Sequence, residues 1–355
     1  MKRELTSGSV MKNLLFFSLP YLLSFFLQTL YGMADLLIIG QFGSVADTTA
    51  VSVGSQVMHM LTVMIVGLAM GATVNIGQAV GGKDSRKAAL FTGNTVTLFM
   101  GLSVTLTFLL LILRNTIVSA VSTPADAAAG TVDYLTICFI GIPFITAYNI
   151  ISAVFRGMGD SKSPMYFIAV ACAANIALDY LFIGALGMGP AGAALGTTLS
   201  QAVSVVISLI FVKMRKTDFA LKKADLKPDK QITGKILKIG VPVAMQDGFI
   251  QIAFMVITVI ANRRGLNDAA AVGIVEKIIG FLFLVPSSML SAVSALGAQN
   301  IGAQKPERAR KTLLYAIFIA AGFGGTVAVI MQFLSGGAVS LFTDSAAVIR
   351  LGGGY

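Results

Sequence analysis

Residues 19–43 read LPYLLSFFLQTLYGMADLLIIGQFG, and residues 241–265 read VPVAMQDGFIQIAFMVITVIANRRG. Each stretch opens on a proline, Pro20 or Pro242, runs apolar for the length of a membrane helix and closes on a glycine, Gly43 or Gly265. The echo continues: Gln78-Ala79-Val80-Gly81 aligns with Gln299-Asn300-Ile301-Gly302, Val118-Ser119 with Val339-Ser340, and Tyr134 with Tyr355. A repeat of this length built from membrane helices is the mark of a two-lobed transporter with a pathway between its halves. By the same alignment the second copy lacks about 80 residues, or three ~20-residue helices. The expectation is therefore a C-terminally truncated second lobe.

Hydrophobic residues make up 56% of the chain and charged residues 12%, far below the roughly 25% charged residues of a soluble domain. Apolar runs recur near 14–40, 51–76, 90–113, 132–155, 164–187, 191–212, 236–261, 271–296 and 312–334. Each is long enough to cross ~30 Å of hydrocarbon as a helix, giving about nine spans. Barrel strands would alternate apolar and polar, whereas these runs are apolar on every face. The first run is too long for a signal peptide core and reads as a retained span. The expected fold is an all-α membrane protein of two pseudo-symmetric helix bundles. Residues 1–212 form a six-helix first lobe, 213–235 a basic cytoplasmic linker, and 236–355 a second lobe with about three of its six helices.

The formal charge is +10, and its distribution sets the topology. One side of the membrane collects Lys2, Arg3, Lys12, Lys83, Arg86, Lys87, Arg156, Lys162, the run from Lys213 to Lys238, Lys305, Arg308, Arg310 and Lys311. The other holds Arg114, Arg263, Arg264 and Arg350. The positive-inside rule then puts the N-terminus in the cytoplasm. Topology and anionic lipid account for the basic excess, so no nucleic-acid partner is invoked. The expected location is a cell membrane, a bacterial inner membrane, with the chain crossing it many times.

An ionisable group at bilayer depth costs about 2.5–3.5 kcal/mol on insertion scales and should face a cavity or a partner. Counting from the far ends of their runs at ~1.5 Å per residue, Asp35 lies roughly 8 Å down, Asp179 roughly 12 Å and Thr197 roughly 9 Å. These three share one layer, and Asn175 stacks one turn from Asp179. Two carboxylates, an amide and a hydroxyl at one depth make an all-oxygen cluster suited to a proton or Na⁺, because two adjacent carboxylates do not easily both stay ionised. The alternative is a hydrogen-bonded pair that merely locks two helices.

Gln28, two turns from Asp35 on the same face, extends a polar stripe, and Tyr31 is placed to hydrogen-bond Asp35. In the second copy Asp247 falls near mid-membrane. Glu276 reads equally as a substrate or cation contact and as an interfacial charge, and its neighbour Lys277 does not face it. These four are the cavity candidates. His59, between Met58 and Met60, reads as a packed neutral histidine. Pro20 and Pro242 fall inside helices, where a proline is tolerated only with local compensation and marks a bend. The pairs Gly67/Gly71 and Gly192/Gly196 read as close helix packing.

No GxSxG, HExxH or P-loop is present, so nothing suggests an enzyme, and transport without a nucleotide site has to run on an ion gradient. No cofactor or metal is expected beyond a possible Na⁺ at Asp35, Asn175, Asp179 and Thr197.

Five stretches together carry a family resemblance: LPYLLSFFLQTLYGMADLLIIG (19–40), GQAVGGKDSRKA (77–88), FRGMGDSKSPM (155–165), NIALDYLF (175–182) and AQNIGAQKPERARK (298–311). Along its whole length the chain resembles the MATE family of multidrug and toxic compound extrusion proteins, within the multidrug/oligosaccharidyl-lipid/polysaccharide flippase group. The resemblance implies two six-helix bundles that rock between outward- and inward-open states, exporting drugs in exchange for H⁺ or Na⁺. It also implies that Asp35, Asn175, Asp179 and Thr197 are the first-lobe cation site and that Pro20 is the helix 1 proline whose bending is linked to protonation. The reading is an ion-coupled antiporter of amphipathic, cationic drugs or metabolites. The alternatives are a lipid-linked oligosaccharide flippase of the same superfamily, which would show a basic cavity for pyrophosphate, and a non-functional truncated product.

Overall fold

A computed structural model describes residues 5–214, 221–343 and 345–355. Residues 215–220 of the expected linker, and Lys2 and Arg3 of the charge count, lie outside the described residues. Regular structure among the described residues is entirely helical: α1 (Val10–Phe42), α2 (Val45–Gly81), α3 (Ser85–Ala120), α4 (Ala125–Ile140), α5 (Ile142–Gly157), α6 (Lys162–Asp179), α7 (Gly189–Met214), α8 (Lys230–Arg264), α9 (Leu266–Leu282), α10 (Leu284–Gly302), α11 (Pro306–Ser340) and α12 (Ala346–Gly354). Eight helices of the described residues are long and apolar enough to cross a membrane, counting α9–α10 as one, and the bent pair α4–α5 makes a ninth. The nine spans anticipated from the apolar runs are therefore present, in a bundle of six followed by a bundle built from α8 to α12. Exposed Phe108, Ile112, Leu209, Phe318 and Phe333 mark outward faces of α3, α7 and α11, where lipid is the natural solvent.

Local chemistry sets where these helices start and break. Ser44 and Asp47 close a capping box at the start of α2, and the Asp229 carboxylate accepts from the amides of Gln231 and Ile232 at the start of α8, using donors that a helix start leaves orphaned. The chain bends by 48° between α4 and α5. Pro143 is responsible, since it has no N–H to offer the Phe139 carbonyl one turn back. Thr107 of α3 donates to that carbonyl instead, at 3.1 Å, so the break is satisfied by a neighbouring helix. α1 and α8 run through Pro20 and Pro242 without interruption.

The repeat extends to single dihedrals. Just after each copy of the Gln-x-x-Gly stretch a non-glycine residue turns left-handed, Lys83 at φ 57° and Gln304 at φ 58°. The next amide reaches back in both, Asp84 to the Ala79 carbonyl at 2.9 Å and Lys305 to the Asn300 carbonyl at 2.8 Å.

The two bundles meet along the half nearest the N-terminus. A Cβ at Gly81 would overlap the Gln299 carbonyl, and one at Gly302 would overlap the Gln78 carbonyl. These are equivalent residues of the two copies, so the contact is reciprocal. Further along α2, Gly71 lies against the Ile236 carbonyl of α8, and Gly240 against the Leu68 carbonyl. Leu14, Phe17 and Tyr21 of α1 pack with Met289, Ala292, Ala295 and Leu296 of α10. With lipid on the outside, such small-residue packing is what holds helices together. Toward the far side the seam loosens: Gly248 faces the Met64 side chain at 3.6 Å, and Phe249, Ile252, Val256 and Ile260 of α8 are exposed.

Two polar straps cross the sealed side, each leading into one bundle while bound to the other. Ahead of α1, the Ser7 and Gly8 carbonyls accept from Arg308 of α11 at 3.1 and 2.9 Å, and the Thr6 carbonyl from Lys305 at 2.9 Å. Ahead of α8, the buried Asp225 carboxylate pairs with Arg86 of α3. The Asp225 and Leu226 carbonyls accept from Asn94 and Thr97 at 3.3 and 2.7 Å.

The backbone amide of Lys222, followed by Arg86, holds the Asp225 carboxyl below the usual carboxylate range, with burial opposing. Its stabilisation is therefore complete above the unfolded value of about 3.9 and is lost as pH falls through the lower folded value. Asp225→Asn is expected to lower the thermal unfolding midpoint at pH 7. That deficit should shrink as the buffer approaches the acid range, in a pH series of melts of the two proteins.

Candidate functional site

α1 turns Asp35 onto the same buried face as Ile38 and Ile39. α6 carries Asn175 and Asp179 one turn apart and then widens into a π-helical turn, Tyr180–Ala185, so Asp179 stands at the junction of two helix types, a feature frequent at functional sites. α7 completes the wall with Gly196 and Thr197.

The four predicted residues come together. Thr197 Oγ1 donates to Asp35 Oδ2 at 3.2 Å, and Asn175 Nδ2 to Asp179 Oδ1 at 3.5 Å. The Asp35 and Asp179 carboxyls neighbour each other. Exposure is 3% for Asp35, 1% for Asn175 and 0% for Asp179. Asp35 Oδ1, Asn175 Oδ1 and Asp179 Oδ2 are buried without a hydrogen-bond partner. Three orphaned acceptors around two carboxyls form a cluster that a shared proton or one small cation would satisfy, since buried polar atoms normally find partners.

Gly196 was legible in the sequence only as half of a small-residue pair. A Cβ there would overlap Asp179 Oδ1. Its missing side chain is thus what lets α7 close over the carboxyl, and the close approach serves the site as well as helix packing.

The other candidates separate. Gln28 lines a small polar pocket with Tyr21, Ser24 and Arg156. No hydrogen bond joins Tyr31 to Asp35 among the described residues. Tyr31 instead packs against the apolar cluster that contains Tyr148. Asp247 lies at the bundle seam, its Oδ2 2.9 Å from where a Cβ of Gly67 would stand. Glu276 accepts from Thr258 of α8 at 2.8 Å. His59 is exposed on α2.

Arg156, counted above among topology-setting surface charges, is instead only 9% exposed. The last turn of α5 tucks it behind Tyr21, a placement that depends on how α5 meets α1.

The MatE family model matches residues 20–181 and 242–355, two stretches that open on Pro20 and Pro242. The chain belongs to the MatE family. Among its MatE relatives are two from Bacillus subtilis (strain 168). The probable multidrug resistance protein YoeA is 28% identical over 94% of this chain and 74% of the relative. The probable multidrug resistance protein YpnP is 32% identical over 86% and 68%.

Solved structures agree. A transporter of the MOP superfamily from Pyrococcus furiosus, described as having a binding pocket of reverse polarity that suggests a different function, superposes with a TM-score of 0.90 at 25% identity, covering 99% of this chain and 78% of that one. An outward-facing multidrug resistance MATE transporter superposes at 0.88 with 25% identity, covering 98% and 77%. The chain is thus a multi-pass membrane protein of a transporter family whose relatives are multidrug efflux proteins.

Proposed function

We propose that this MatE chain is an antiporter that exports amphipathic, cationic drugs or metabolites by alternating access, in exchange for H⁺ or Na⁺ entering at Asp35 and Asp179. The observation that carries the reading is the trio of buried, unpartnered oxygens on Asp35, Asn175 and Asp179. A group of this kind is stable when an ion fills it and costly when bare. Ion and substrate then favour different arrangements of the two bundles, so binding of one expels the other.

With the N-terminus cytoplasmic, as the basic loops suggest, the sealed side carrying Gly81 and Gly302 faces the cytoplasm and this form opens outward. Asp247 at the foot of the loosening seam, and Glu276 about three turns further along α8 where it meets Thr258, give a cationic substrate its counter-charge. The names of the relatives YoeA and YpnP support export of drugs. The predominance of acids among the membrane-depth groups favours cationic cargo over the pyrophosphate of a lipid-linked sugar.

The test is accumulation of a fluorescent cationic dye in bacteria stripped of their own efflux pumps. Cells expressing the protein should hold about five-fold less dye or lower, and a collapsed ion gradient should abolish the difference, as expected of transport driven by differential binding. Equal accumulation with and without the protein would oppose the reading. In the same assay Asp247→Asn should weaken export of singly charged dyes by about three- to ten-fold while sparing an uncharged analogue, the size expected when one charge partner is lost. Equal loss for both dyes would reassign Asp247 to structure.

A further inference from the structure

The buried guanidinium of Arg156 raises a question that transport does not answer. Its one recorded partner among the described residues is the face of the Tyr21 ring, 5.9 Å from the guanidinium carbon. No carboxylate of the described residues forms an ion pair with it. Asp160, the nearest acid in sequence, is close enough for its charge to act on the Tyr21 hydroxyl alongside that of Arg156, but its carboxylate accepts from the amides of Lys162 and Ser163 at 3.1 and 3.0 Å and from the Ser163 hydroxyl at 2.7 Å and does not contact the guanidinium. A buried guanidinium whose acidic neighbour is held out of contact remains costly, so a contacting partner for its donors is expected.

The space beside it is suited to that role. Arg156, Tyr21, Gln28, Ser161, Tyr148 and Asn149 line an enclosed pocket of about 20 Å³, room for one small guest. Tyr148 has spent its donor, its Oη giving its proton to the Pro164 carbonyl at 3.4 Å, and Asn149 Nδ2 has used one of its two N–H groups on the Ile145 carbonyl at 2.8 Å. The donors left are those of the guanidinium, the Gln28 amide, the second N–H of Asn149, the Ser161 hydroxyl and the Tyr21 hydroxyl. The last is completely buried with no partner. A water would satisfy Tyr21 but leave the guanidinium without a contacting counter-charge, whereas an anion meets both needs.

We propose that the pocket between Arg156 and Tyr21 binds a monatomic anion of chloride size, which joins the end of α5 to α1 one residue beyond Pro20. The site is separate from the carboxylate cluster and independent of the transport reading. It is closed to larger anions by its volume, which sets it apart from a phosphate or headgroup site.

Two measurements on the purified full-length protein test this. Crystals grown in bromide should give an anomalous peak within hydrogen-bond reach of Arg156 and Tyr21, and no peak there would overturn the proposal. In solution, replacing gluconate with chloride at constant ionic strength should raise the unfolding midpoint by about 2 °C or more, the response expected of a ligand that binds only the folded state. The rise should vanish in Arg156→Gln and shrink in Tyr21→Phe. A wild-type midpoint indifferent to chloride would count against the site even if Arg156→Gln proved too unstable to study.

Discussion

Gly302→Val is expected to keep the two bundles from closing on the N-terminal side and to reduce export at least tenfold, about 1.4 kcal/mol or more of lost stabilisation of the closed form. The reason is local. At Gly302 even a Cβ would overlap the backbone carbonyl of Gln78, and the reciprocal contact puts Gly81 on the carbonyl of Gln299. A flexible side chain yields to a new methyl group, but here the obstacle on each side is helix backbone, so relief requires the helices to part. Closure in the wild type is also held by Gln299 Nε2 donating to the Gly157 carbonyl at 2.8 Å and by the two straps. Spin labels at the exposed turn residues Lys83 and Gln304 report the gap directly. The wild type should show a dominant short distance, and Gly302→Val a longer one with the short population depleted. An unchanged distance distribution with full export would show that the glycine contact is dispensable.

Gly196→Ala is the second large effect, and it acts on the ion cluster without touching a charged residue. The added methyl would occupy the position of Asp179 Oδ1 and drive the carboxyl away from Asn175. Ion-driven export should fall by roughly tenfold or more, as it does when a binding group is displaced by an ångström, with the protein still inserted and folded. Gly192→Ala, one turn away, is the matched control. Its Cβ would meet Met188 and Phe182 at 3.1 Å, a crowding that a few tenths of an ångström relieve, so its loss should be several-fold smaller. Equal activity of Gly196→Ala and wild type would place the working ion site elsewhere.

The membrane makes much of this molecule readable in advance. Helices must cross a fixed thickness, so rise per residue turns sequence position into depth, and the count from the ends of three runs put Asp35, Asp179 and Thr197 in one layer. The structure joins Thr197 to Asp35 and Asn175 to Asp179. The Asn175–Asp179 pair needs only the helical period. The Asp35–Thr197 bond needs two separate helices to meet, and depth alone could only permit it.

What stayed hidden depends on neighbours. The run 132–155 reads as one uninterrupted span, yet it breaks at Gly141 because Pro143 frees a carbonyl that Thr107 of α3 then takes up. The π-helical turn after Asp179 has no sequence signal of its own. Tyr31 has the right spacing to reach Asp35 but makes no hydrogen bond to it among the described residues and packs against the apolar cluster that contains Tyr148. Arg156 looks like any loop-end arginine until α1 covers it. In each case local sequence offers an option, and the approach of another helix selects among the options.

The most direct measurement of the central claim uses sealed vesicles containing the purified protein, with dye export followed under an imposed pH gradient and, separately, an imposed Na⁺ gradient. Wild type is compared with Asp35→Asn, which keeps the shape of the side chain but removes its charge. Export that follows one gradient and falls at least tenfold in the mutant, with dye binding retained, is the result expected if the carboxyl pair carries the coupling ion. Gradient-driven export at the wild-type rate in Asp35→Asn would contradict it, and Asp35, Asn175, Asp179 and Thr197 would then be a hydrogen-bonded brace between helices.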